Sequence, residues 1–254
     1  MDITEQSPWR EADLTEQTSA KNLVQFLIDR LKDSNGRVRS EELISAAATI
    51  VGERCIEAAA DFNPRHHNFT PGSRVFSDKV NELLAGNVSS DNLGDVPSAS
   101  IIGTLRDKLV GQGYQEADFP PLSAVFQGFA ARIGHPSDWG RVPLSVPAEN
   151  LPVFLPLQVA YETRTSVDEV FAPLRRDGAR CLRAATLALA EALKAVSQSI
   201  NHKVAMLLAL ETVNGMAKTA PMTDEALSQV AGRTDGGDQP TAPPKKKKAG
   251  WRFW

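Results

Sequence analysis

Residues 180–200 read RCLRAATLALAEALKAVSQSI, a stretch dominated by alanine and leucine, the residues that lose least on entering an α-helix. A segment of that composition packs as a long helix and fits no strand. The same habit recurs along the chain, and with only 6% aromatic residues against 42% apolar ones it points to an all-α fold. Leu23, Phe26, Leu27 and Leu31 keep the i, i+3, i+4 rhythm of one helix face, and Asn35-Gly36 ends it. Ser40 offers an N-cap, with Glu41 and Glu42 in the first turn of a helix running through Leu43, Ala47, Ile50, Val51, Cys55 and Ala58. Further helices are expected over residues 77–84, 98–110, 122–133, 157–171 and 204–216. A last short one should run from Thr223 to Gly232.

Between these stand the breakers. FNPRHHNFTPGSRV must be a structured loop, and GHPSDWGRVPLSVPAENLPVFLP holds five prolines. The expected organisation is a flexible polar arm (1–19), an N-terminal helical lobe (20–134), a Pro-rich joint (135–156) and a C-terminal helical lobe (157–232). Residues 233–254 would be a disordered tether ending in a basic-aromatic tail. The helices form either two packed lobes or one large irregular bundle. The opening residues have neither a signal peptide's apolar core nor a transit peptide's arginines, and no apolar run approaches a membrane span.

Charge is divided unevenly. Lys245, Lys246, Lys247, Lys248 and Arg252 carry five positive charges, so a formal net charge of −3 for the chain leaves −8 on residues 1–244. An acidic body is a poor general binder of phosphate backbones. An anionic partner would therefore meet the tail, where Trp251, Phe253 and Trp254 stand beside the cations. Such a tail suits an anionic membrane surface, a protein groove, or, less well, single-stranded nucleic acid stacked on its rings. PPKKKK also resembles a nuclear import signal, a minor option for a chain of bacterial-like composition. Cys55 and Cys181 sit in alanine-rich surroundings and read as buried thiols of a reduced, cytoplasmic protein, peripheral at the inner membrane surface if the tail takes lipid.

Motifs that carry chemistry are few. KDSNGRVRSEEL resembles an EF-hand calcium loop at Asp33, Asn35, Gly36, Val38 and Glu42, but Leu31 stands where the first carboxylate belongs. LIDRLKDSNGRVRSEELISAA resembles the opening of winged helix-turn-helix repressors, yet an alanine-rich helix follows where a turn and a basic recognition helix are needed. A turn and a capped helix account for all these residues. No GxSxG, GxxxxGK[ST], GxGxxG or SxxK motif is present. The histidines, His66, His67, His135 and His202, lack the spacing of metal ligands, so neither metal nor cofactor is expected.

His66, His67, Asn68 and Arg74 nevertheless gather polar chemistry in one loop, and a cleft joining them to Glu162 or Asp168 would favour an enzyme. Of the carboxylates in apolar settings, Glu191 and Glu211 are expected on the polar sides of their helices, and Lys218 and Met222 on an exposed corner. The reading that fits best is a non-catalytic adaptor or regulatory protein. Its tail residues Lys245–Lys248, Trp251, Arg252, Phe253 and Trp254 would dock to a protein partner or an anionic membrane surface. An enzyme centred on the His66-His67 loop and a weak nucleic-acid binder acting through the tail are the alternatives.

Overall fold

The computed structural model of the chain describes residues 11–60, 62–75, 77–88, 90–131 and 142–225. Among them the fold is all-α, with eight helices: α1 (Leu14–Leu31), α2 (Ser40–Ala59), α3 (Asp78–Ala85), α4 (Ile101–Leu109), α5 (Leu122–Ala130), α6 (Pro156–Val170), α7 (Gly178–Val196) and α8 (His202–Met216). No helix among the described residues is long and apolar enough to cross a membrane.

At the centre lies α2, buried without interruption from Glu42 to Ile56. Its alanines and Gly52 present almost no side-chain bulk, so α7 and α8 pack closely against it while α1, α3 and α6 cover the rest. The approach of α8 depends on Gly52, where an added Cβ would stand 2.4 Å from the Met216 Cβ and 2.9 Å from the Ala217 amide nitrogen. One apolar cluster takes residues from all eight helices. A second, smaller cluster joins Val142 to Leu157, Ala160 and Met216. Residues 142–155 cross the bundle without a long helix, broken by one 3-10 turn at Ala148–Asn150 and pinned by carboxylates. The Ser145 amide and hydroxyl donate to Glu211 at 2.7 and 2.5 Å, and the Val153 amide donates to Glu42 at 2.5 Å.

Three expectations need correction. The first helix begins at Leu14 rather than after residue 19, because the residues that fix its start are polar. Asp13 and Glu16 form a reciprocal capping box, each backbone amide donating to the other's carboxylate at 2.9 Å. Glu16 is also fully buried and accepts from Arg183 at 2.6 Å and Arg180 at 3.2 Å, which ties α1 to the first turns of α7. Ser40 is the first helical residue and not the cap; Arg39 precedes it and makes no side-chain cap bond. Glu211 faces inward at 8% exposure and holds the crossing segment, whereas Glu191 is exposed as expected.

The turn before α2 is closed by the protein itself. Asp33 accepts from the amides of Asn35 and Arg37 at 2.8 and 2.9 Å and from the Arg37 guanidinium at 3.3 Å. These bonds use Asp33 and Asn35 of the calcium-loop resemblance, and Glu42 is taken by the Val153 amide. That α2 continues unbroken for 20 residues accounts for the residues shared with the repressors.

Two substitutions test this frame. Glu16→Ala takes from the buried Arg183 and from Arg180 the carboxylate they share, and should cost about 3–5 kcal/mol in urea unfolding. Gly52→Ala forces α8 off α2 and should cost at least about 1–3 kcal/mol, the usual penalty for overpacking.

Candidate functional site

A strap joins two distant parts of the chain. Residues 72–75 run antiparallel to 218–220: the Ala220 amide donates to Ser73 O (2.7 Å), Gly72 to Ala220 O (2.8 Å) and Val75 to Lys218 O (3.0 Å). Further along, the Asp224 amide donates to Arg65 O at 3.0 Å. The two prolines and the glycine of the loop 62–75 leave it free to follow this path, since no helix can form through Pro64 and Pro71.

The strap separates the residues singled out from the sequence. His67 Nε2 lies 3.0 Å from Pro221 O, and its Nδ1 accepts from the Phe69 amide at 3.1 Å, so the ring is fixed as a local clasp between Phe62 and Phe69. His66 points outward, 3.7 Å from Asp224. Asn68 is exposed. Arg74 turns to the other end, donating to Thr219 Oγ1 at 2.5 Å and lying over the Phe129 ring at 5.1 Å. Glu162 pairs with Arg30 at 3.2 Å. The four loop residues thus do not share a cleft with either carboxylate. His135, the tether and the tail residues Lys245–Lys248, Trp251, Arg252, Phe253 and Trp254 lie outside the described residues.

What the first half of the strap does assemble is an ion-pair cluster. Asp168 of α6 accepts from Arg65 at 2.6 and 2.8 Å and from Arg54 at 3.0 Å, while Glu57 accepts from the same two arginines at 3.1 and 2.5 Å. Burial by itself pushes the Asp168 carboxyl up; the hydrogen bonds and charges of Arg65 and Arg54 outweigh it and hold the group below the usual carboxylate range. Deeper in, Arg164 donates to Glu53 at 2.8 Å and to Met222 O. A cavity of about 220 Å³ opens on this cluster, with Cys181 in its wall. Burial pushes the Cys181 thiol up to about 11 and that of Cys55 to about 12, so neither supplies a thiolate at neutral pH. Among the described residues no three His, Cys, Asp or Glu side chains converge as a metal site requires.

The second half of the strap holds Lys218, expected on an exposed corner and found 6% exposed. The error has a plain cause: the helix ends at Met216, but the chain folds back over α2 and α5 instead of leaving the bundle. Lys218 Nζ donates to Asn214 Oδ1 at 2.7 Å and lies 4.7 Å from the Phe126 ring centroid and 5.7 Å from that of Phe129. Met222 is half-buried, its carbonyl taken by Arg164. Arg65, Arg164 and Glu53 carried no sequence signal, because each becomes distinctive only through partners more than a hundred residues away or in another element.

Compared with known proteins, the chain matches no family model, no curated sequence and no solved structure.

Asp168→Asn should destabilise the fold by about 2–4 kcal/mol at pH 7, since it leaves two partly or fully buried arginines to a single carboxylate. Because the folded-state pKa of Asp168 is depressed, its contribution is complete above its ordinary value and fades as pH falls through the lowered one. Parent and variant denaturation midpoints should therefore stay apart through the ordinary carboxylate range and draw together only at pH values well below about 3.9.

Proposed function

We propose that the chain is a non-catalytic helical adaptor, recruited to an anionic lipid surface through Lys245–Lys248 and the rings of Trp251, Phe253 and Trp254. The observation that carries this reading is the charge segregation: five cations and three aromatics in ten residues, against −8 on the rest. Each basic residue near anionic headgroups contributes about 1 kcal/mol, and tryptophan favours the interface. Residues 233–244 have the Gly, Asp, Thr and Pro composition of a tether. A random chain of that length reaches about 20 Å, beyond the screening length of about 8–10 Å, so the acidic body does not cancel the attraction.

The body supports the reading by the use it makes of its polar groups. His67, Arg65 and Arg164 are spent on fixing residues 221–224, with bonds to Pro221 O, the Asp224 amide and Met222 O. The segment leading to the tail leaves from a point tied to α6 and to the loop 62–75. A partner bound by the tail would thus be held near a defined face of the bundle.

The test is vesicle flotation of the full chain beside a chain ending at residue 244. The full chain should float with vesicles rich in anionic lipid, fail to float with neutral ones, and be released at high salt. Equal flotation of the two proteins, or equal recovery on neutral vesicles, would sink the proposal. Retention by a protein partner without vesicle binding would move it to a peptide groove.

A further inference from the structure

The corner around Lys218 has a chemical requirement that the bundle does not meet. A lysine ammonium has three donors. One goes to Asn214, and the others face the rings of Phe126 and Phe129 and the cavity beside them. Aromatic faces attract a cation but do not neutralise it. Every other strongly buried cation described here has a carboxylate: Arg54 has Glu57 and Asp168, Arg164 has Glu53, and Arg183 has Glu16. Lys218 has none among the described residues. The titratable group facing it from α2 is the Cys55 thiol, and the charged group across Phe129 is another cation, Arg74.

The amine opens on a cavity of about 330 Å³, lined also by Asn81, Ala85, Asn87, Val88 and Phe126. That volume lies at the small end of the range for ligand sites, about 300–1,000 Å³. Its walls divide into two kinds: amide side chains of Asn81 and Asn87, and apolar surface of Ala85, Val88 and Phe126. From these observations we infer that the cavity is a binding site for a small organic acid, whose carboxylate pairs with Lys218 Nζ and whose compact apolar body rests against Phe126, Val88 and Ala85. The ligand supplies the counter-charge that the described residues do not give this cation.

Binding of this kind is tied to protonation. Burial lowers the Lys218 ammonium to about 8 against the opposing effect of Cys55, so above that pH the free site is increasingly neutral. A carboxylate bound only by the ammonium form must then take up a proton with it. Its affinity should be flat below about pH 7 and fall about tenfold per pH unit above pH 8–9.

The experiment uses the full chain, with benzoate as probe and benzamide as its neutral isostere, followed by calorimetry and by thermal melting. Benzoate should bind and raise the melting temperature, with the pH profile just given, and benzamide should do neither. Lys218→Met keeps the stem against the rings and removes the charge. It should weaken benzoate by about tenfold to a hundredfold, the factor carried by a charge-assisted hydrogen bond, while its own melt without ligand is unchanged or higher. Asn81→Leu leaves Lys218 in place and narrows the cavity, and it should weaken benzoate as well. The inference fails if benzamide matches benzoate, if both variants bind benzoate like the parent, or if the parent shows no binding at millimolar benzoate at pH 6.5.

Discussion

The burial of α2 on every side is the constraint from which the rest of the structure follows. A helix enclosed by α1, α3, α6, α7 and α8 must be narrow where its neighbours cross, which is why Ala46, Ala47, Ala48 and Gly52 stand in its middle. It must also carry its charged residues into the interior, and Glu42, Glu53 and Arg54 are all less than a tenth exposed. Each then needs a partner from a distant part of the chain, because an ion left unpaired in such surroundings costs several kcal/mol. Glu42 draws in the crossing segment through Val153, Glu53 takes Arg164 from α6, and Arg54 takes Asp168. The irregular segments are thus placed by the charges of the central helix and not by turns of their own.

This explains which parts of the fold were legible in the sequence. The ranges expected for α3 to α8 lie close to the observed helices, and Leu83, Leu105, Val125 and Leu189 on them are buried in the core. The stop at Gly86 was equally readable: its φ of +73° is a conformation that favours glycine. The rhythm misled where polar residues do the work of apolar ones. Glu16 and Ser19 are buried in the first turns of α1, so a stripe counted from Leu23 starts the helix late. Glu211 looked like a solvent-facing carboxylate for the same reason, and only its partner Ser145, from a proline-rich segment, reverses its direction.

The loop 62–75 shows a different limit. Its residues His66, His67, Asn68 and Arg74 stand out in the sequence as a concentration of polar chemistry, but the sequence does not say what that chemistry is used for. In the fold it is divided. Arg65 joins Glu57 and Asp168, His67 clasps Pro221, and Arg74 reaches Thr219 at the far end of the strap. An arginine held by two carboxylates is rigid and nearly neutral to its surroundings, which suits a fastening better than a reacting group.

The two ends of the strap therefore differ in a way that bears on function. At the Arg65 end, cations and carboxylates are matched, and the energetic effect of the cluster is to hold residues 221–224 against α6. At the Lys218 end, a cation is enclosed by Phe126, Phe129 and Asn214 with no acid beside it among the described residues. The same short antiparallel pairing holds the backbone of Lys218 and of Ala220, two residues apart, a few residues before Asp224 bonds to Arg65. An anion at Lys218 would strengthen the seat and with it the fixed departure of the chain. Loss of the proton from Lys218 would remove that anion's attraction without disturbing the ion pairs at the other end. Among the described residues, the buried cation without a carboxylate is thus placed where neutralising it would tighten the attachment of the segment proposed to find the partner.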